Sequence, residues 1–375
     1  HKEYRRQRQM CIRDRVRPTG SGSARTVFVH PLLGEHVRLL EEPERHAWQS
    51  DTGTAALPWL GDHRVKNVAA MPGAAYCEMA LAAAEQIFPG GSHVCDMEFE
   101  ELLLLDEHTE ISTVAALEAP DTAAFAVSTA IDGELTLRAT AVLRANTVAL
   151  EPVQQDIEAI LALHPDPVTG DEIRALLSSR GIEFGSSFTG LTRVHTAAAS
   201  PTLLAEIAVP TAIRAKHAGF RIHPAVLDAC FQSVGAHVLL SGQREGGLLL
   251  PLGVQQLQRF GASRDASYCH VTIIKSEPTS IEANLNVLDR DGEVILGVTG
   301  LRMGTGETKS AERERLLSDR LVTVEWEERP APSAASADAG VWLLISTANT
   351  DDLPSQLGEA LVSAGGQCRT MHFDT

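Results

Sequence analysis

Twice in this chain a helix opened by proline stands alone among short β-rich stretches, and that recurrence limits the fold more than any other feature. The first runs from about Gly73 to Phe88, with Pro72 before it and Pro89-Gly90-Gly91 after it. Proline suits a helix start, where its missing N–H would be unpaired anyway, and glycine suits the stop. The second runs from about Pro224 to Leu240 and ends at Ser241-Gly242. Around both lie alternating or β-branched segments punctuated by turns. Asp132-Gly133 separates 125–129 from 135–143, and Asp291-Gly292 separates 281–288 from 293–303. A shorter helix is expected at about 170–179.

These signals divide the chain into a β-rich unit at 26–145, a proline-bearing join at 146–165 and a second β-rich unit at 166–303. Each unit reads as α+β, an antiparallel sheet wrapped around one central helix. Residues 304–320 are polar and charge-rich, a linker. From 321 a new α/β unit begins: LVTVEWEE and VWLLIS read as strands and about 353–364 as a helix. At 321–375 it is too short to close a doubly wound sheet, so a truncated Rossmann-like piece of a longer protein is expected.

Composition narrows the function. With 44% apolar and 22% charged residues among 375, a sizeable core can form. No apolar run reaches the ~18–20 residues of a membrane helix. Net charge is −17, yet residues 1–17 are basic, so the body is more acidic still and suits nucleic acid poorly. The head, 1–25, reads as non-native or disordered rather than as a nucleic-acid arm. Six cysteines without a CxxC pair read as reduced thiols of a cytoplasmic protein, with no structural metal.

Two polar features break the apolar pattern at the helix starts. His63 follows the turn-forming Gly61-Asp62, and nine residues on Met71-Pro72-Gly73 opens the first helix. Gly73 can bring its amide close to a ligand at a positive helix end, where an acyl carbonyl would be polarised. On the second helix Asp228 and Gln232 are four apart and share a face. A carboxyl beside apolar walls has a raised pKa and can act as an acid. The blander readings are a loop histidine and an aspartate that complements the helix dipole.

In order along the chain, five landmarks carry a family resemblance: His30-Pro31-Leu32-Leu33-Gly34; His63, Asn67 and Pro72; Gly181 through Phe188; Asp228 with Gln232; and Leu250-Pro251. Together, across residues 30–303, they resemble the dehydratase domain of reducing polyketide synthases, a double hotdog fold. The wording at Leu57–Ala84 looks most like mycobacterial mycocerosic-acid-synthase-type enzymes, which build methyl-branched lipids. The tail from Leu321 resembles the start of a ketoreductase's structural subdomain. Two departures stand out: Asn67 replaces a glycine, and Phe184 replaces a tyrosine of the family pattern.

The resemblance implies elimination of water from a β-hydroxyacyl, α-methyl thioester held on acyl carrier protein. His63 would be the base and Asp228 the acid, with Gln232, Gly73, Pro72 and Phe184 orienting substrate. Such a reaction needs no metal or nicotinamide, and no cofactor is expected in this chain. Ketosynthase, acyltransferase, enoylreductase and ketoreductase neighbours are implied, in a homodimeric synthase. A silent scaffold, a product-template cyclase, a double-bond isomerase and a plain acyl-binding module remain as alternatives. Because His63 and Asp228 lie far apart in sequence, the two halves are expected to pack face to face.

Overall fold

The computed structural model describes residues 27–305 and 340–373, apart from 40–41, 132–133, 149–150, 199, 241–247, 262–264, 278 and 348–352. The expected head, the Asp132-Gly133 turn and the strand LVTVEWEE lie outside the described residues. The helices described are α1 (Gly73–Ile87), α2 (Ile157–Leu163), α3 (Gly170–Ser179), α4 (Pro224–Leu240) and α5 (Leu353–Ser363). In α1 every residue from Ala74 to Ala84 is buried, the charged-type Glu78 included. None of these helices is long and apolar enough to cross a membrane.

In the first half the strands lie side by side as Val27–His30, Gly34–Leu39, Arg45–Asp51, Glu110–Ala119, Thr122–Ile131, Glu134–Ala145 and Ser92–Phe99. The second half continues as Leu250–Arg259, Val294–Gly304, Ser280–Leu288, Tyr268–Glu277, Thr202–Ile207, Leu191–Thr196 and Asp166–Thr169. Antiparallel pairing of Ser92–Phe99 with Leu250–Arg259, Val94 opposite Leu257, makes one 14-stranded sheet. The halves therefore join edge to edge, a correction to the face-to-face expectation. Pairing two inner edges satisfies backbone groups that would otherwise remain exposed. Across the join α1 packs against α4.

A buried carboxyl reinforces that contact. Glu78, on α1 and 0% exposed, accepts the Arg221 and Ile222 amides at 2.7 and 3.0 Å, just before α4. It also accepts from His30 Nε2 at 3.0 Å, while His30 Nδ1 accepts the Leu32 amide at 3.2 Å. The His-Pro-Leu-Leu-Gly opening thus serves the core.

Within the join at 146–165 the structure places α2, which was not expected. Asp156 caps it by accepting the Ala159 amide at 3.0 Å. None of its residues is fully buried, so its periodicity is weak in the sequence. Ile157, Ile160 and Leu161 nevertheless pack on Leu204, Leu288 and Val294.

Residues of 340–373 belong to a separate compact unit. In it Val341–Thr347 and Gln367–Phe373 pair in parallel, with α5 between them in the chain. Parallel strands linked through a helix are the basic unit of α/β folds.

His223, immediately before α4, carries a stability prediction. It is fully buried, and its Nδ1 accepts the Ala225 amide at 3.2 Å. Burial, with His217 adding, pushes its pKa down to about 3. The unfolded chain takes up this proton below about pH 6.5, the folded chain only near pH 3. Stability is therefore full above pH 6.5 and falls as pH drops, by up to about 1.4 kcal/mol per pH unit for this one group. Urea unfolding at several pH values should show that slope reduced by one proton in His223→Asn, which can still cap the helix.

Candidate active site

His63 is positioned by strands from both halves. A 3₁₀ turn, Pro58–Asp62, delivers it to the short strand His63–Val65, which pairs with Ile182–Phe184 so that Phe184 lies opposite His63. Asp62 fastens the junction: its side chain accepts the Ser187 amide at 2.9 Å and its carbonyl the Gly185 amide at 2.7 Å. Space demands glycine at 185, since a Cβ there would stand 2.2 Å from Asp62 Oδ1.

On its other edge this strand turns through Lys66-Asn67, with φ of 49° and 68°, into Val68–Ala69. Two left-handed residues are what a two-residue type I′ hairpin requires, and asparagine enters that region more readily than most. The amide orientation that satisfies both partners puts Asn67 Nδ2 2.8 Å from Glu183 Oε1. The residue that departs from the family's glycine thus ties the turn to the second half.

The same hairpin sets the tautomer of His63. Its Nδ1 lies 2.8 Å from the Ala70 carbonyl, which can only accept. Nδ1 therefore carries the proton, and the neutral ring has its lone pair on Nε2. Phe184 meets the ring edge-on at 5.7 Å and Phe188 lies 5.3 Å away, tilted.

Asp228, in the second turn of α4, is 5% exposed. Gln232 Nε2 donates to its Oδ2 at 2.9 Å. That nitrogen also lies 3.4 Å from the Phe188 carbonyl, an acceptor, which fixes which way the amide points. Burial raises the Asp228 pKa, offset in part by His63 and the Gln232 hydrogen bond. The carboxyl therefore keeps its proton to higher pH than an exposed aspartate.

His63 and Asp228 line one cavity of about 200 Å³, together with Gly73, Phe184 and Gln232. A Cβ on Gly73 would come within 3.1 Å of Pro251 Cβ, so the Leu250-Pro251 landmark sits directly against the start of α1. The first amide of a helix has no partner within the helix. Pro72 precedes that start in extended backbone and is not among the lining residues. It begins the helix.

Several lining residues were not foreseen, Tyr76 and Gly235 among them. Tyr76 lies three residues beyond Gly73, and Gly235 three beyond Gln232. Helical spacing from the two chosen residues would have found both. Among the described residues no cluster of His, Cys, Asp or Glu is placed to hold a metal ion.

The chain is similar to known proteins in sequence and in fold. The family model "Polyketide synthase dehydratase domain" matches residues 30–130. A second, "Polyketide synthase dehydratase N-terminal domain", matches 152–313. A mycocerosic acid synthase-like polyketide synthase of Mycobacterium tuberculosis is 47% identical over 356 residues, 93% of this chain and 17% of that protein. A phthioceranic/hydroxyphthioceranic acid synthase of Mycobacterium bovis is 47% identical over 365 residues, 96% of this chain and 17% of that one. This chain thus spans about a sixth of the curated relatives it matches. A solved dehydratase domain of a mycocerosic acid synthase-like synthase aligns with a TM-score of 0.71 and 47% identity, over 76% of this chain and all of that one. The dehydratase domain from the CurF module of curacin synthase, 24% identical with a TM-score of 0.68 over 75% of this chain and all of that one, shares the fold.

Proposed function

Because the chain belongs to the polyketide synthase dehydratase family, its dehydratase domain being of the mycocerosic-acid-synthase-like type, we propose that His63 and Asp228 carry out the elimination of water in this cavity. The observation that carries the reading is that His63, its Nδ1 held by the Ala70 carbonyl and its Nε2 left for a substrate, shares one cavity with a buried carboxyl. His63 Nε2 takes the α-proton of a β-hydroxyacyl thioester. The C–H electrons form the Cα–Cβ double bond, and the Cβ–O bond breaks. Protonated Asp228 gives its proton to the departing hydroxyl, which leaves as water. The Gly73 amide bears charge that develops on the thioester oxygen. Exchange with solvent returns the proton from His63 to Asp228.

Gln232 keeps Asp228 in place through Oδ2. Its own Oε1 is buried and unpartnered, an acceptor suited to the substrate hydroxyl. Acyl carrier protein would deliver the substrate, and the other synthase domains would act before and after. The likeness to synthases named for mycocerosic and phthioceranic acids supports an α-methyl substrate, and 321–375 would open the ketoreductase's structural subdomain. The test is mass spectrometry of a (3R)-hydroxy-2-methylacyl pantetheine thioester, beside its unbranched counterpart, incubated with the 375-residue chain. Loss of one water, faster from the methyl-branched substrate, is expected. Substrate returned intact from folded protein at every acyl length would reject the dehydratase reading.

Gly235 supports a prediction on chain length. It lies on the Asp228 face of α4, and a Cβ there would lie 3.4 Å from Leu177 Cδ2, ordinary contact. Gly235→Ala should fit and stabilise the helix by about 0.5–1 kcal/mol. Gly235→Leu should fill the cavity and lower kcat/KM for long acyl chains relative to short ones by about tenfold or more. Competition between two acyl lengths reads this directly, and an unchanged ratio would count against Gly235 as part of the chain-binding wall.

A further inference from the structure

Two neutral polar atoms on residues lining the cavity are buried without a hydrogen-bond partner among the described residues, Gln232 Oε1 and the Tyr76 hydroxyl. The first is accounted for above. Tyr76 is 3% exposed, and its ring packs at 6.0 Å on Phe99. A phenylalanine would make the same packing without burying an unpaired hydroxyl, so packing alone does not call for tyrosine. An unsatisfied buried group asks for a reason, and in a cavity wall a ligand can supply one.

The position says which part of a ligand. Tyr76 is one turn beyond Gly73 on α1, and helical side chains lean toward the N-terminus, here toward the Gly73 end. Asp228 and Gln232 occupy the wall assigned to the β-hydroxyl. Phe231, Val234 and Gly235, further along the same helix, add apolar lining suited to the acyl chain. The carbonyl end of the thioester is left for the start of α1. Burial also raises the phenol pKa, so the hydroxyl stays protonated and able to donate.

We propose that Tyr76 positions the substrate, its hydroxyl donating a hydrogen bond to the thioester carbonyl beside the Gly73 amide. The proposal rests on the dehydratase reading for the substrate's identity. The test is Tyr76→Phe in the full chain, with three readouts: kcat/KM for dehydration, thermal stability, and binding of two inert pantetheine analogues. One analogue keeps the acyl carbonyl; the other has CH2 in its place.

The expected result is a fall of about three- to tenfold in kcat/KM, the worth of one neutral hydrogen bond, with thermal stability unchanged or raised. The variant should bind the carbonyl analogue more weakly than wild type does, and the CH2 analogue equally well. Lowered stability with equal weakening toward both analogues would mean a structural role and overturn the proposal. Unchanged kcat/KM and binding would overturn it too. If wild type itself dehydrates nothing, the dehydratase reading fails, while the two analogues still decide whether Tyr76 reads a carbonyl.

Discussion

Asp228→Asn should lower kcat/KM for dehydration about 10²–10⁴-fold, the usual size of a lost general acid. The change is nearly isosteric, and an Asn oxygen can still accept from Gln232 Nε2, which donates to Asp228 at 2.9 Å. Packing around α4 is preserved, but an amide cannot give up a proton to the leaving hydroxyl. The pH profile adds a sign. The active form carries a protonated Asp228, and burial raises its pKa, so activity is present below that pKa and lost as pH rises through it. In Asp228→Asn the residual rate should lack that alkaline limb. A rate within a few-fold of wild type, or an unaltered profile, would move the acid elsewhere. His63→Ala should cost a comparable factor, with the alkaline limb retained in whatever rate remains.

Glu78→Ala should produce the largest loss of stability, about 3–5 kcal/mol, because removing one partner of a buried polar cluster strands the others. The stranded groups are the Arg221 and Ile222 amides and His30 Nε2, all of which donate to Glu78 in a site closed to solvent. They belong to the opening landmark and to the entry to α4, so both halves should loosen together. Glu78→Gln keeps one oxygen acceptor and should lose less. Urea denaturation measures both, and a loss below about 1 kcal/mol for the alanine variant would show that the cluster rearranges to pair itself.

Much of the site was legible because it sits where helices begin. Proline before an apolar run marks a helix start whatever its partners, and α1 and α4 begin as the punctuation implies. An acidic and an amide residue four apart on an otherwise apolar helix mark a face with something polar to do. What the sequence does not display is partnership. Strand alternation says which residues point inward, but not that Ser92–Phe99 takes Leu250–Arg259 as its neighbour. Helix α2 escaped notice because its packing surface is completed by strands of the second half. Asn67 reads as a loss against the family pattern, yet its positive φ and its contact with Glu183 make it part of the junction that holds His63. Nothing in the sequence sets Tyr76 apart, since an unpaired hydroxyl is visible only once its surroundings are known.

The most direct test of the His63–Asp228 assignment is a crystal structure of Asp228→Asn holding an intact β-hydroxyacyl pantetheine. The acyl chain is expected in the cavity between α1 and α4, its α-carbon about 3–3.5 Å from His63 Nε2, the near-attack range, and its β-hydroxyl toward residue 228 and Gln232. A chain bound with its α-carbon turned away from His63, or bound outside this cavity, would contradict it.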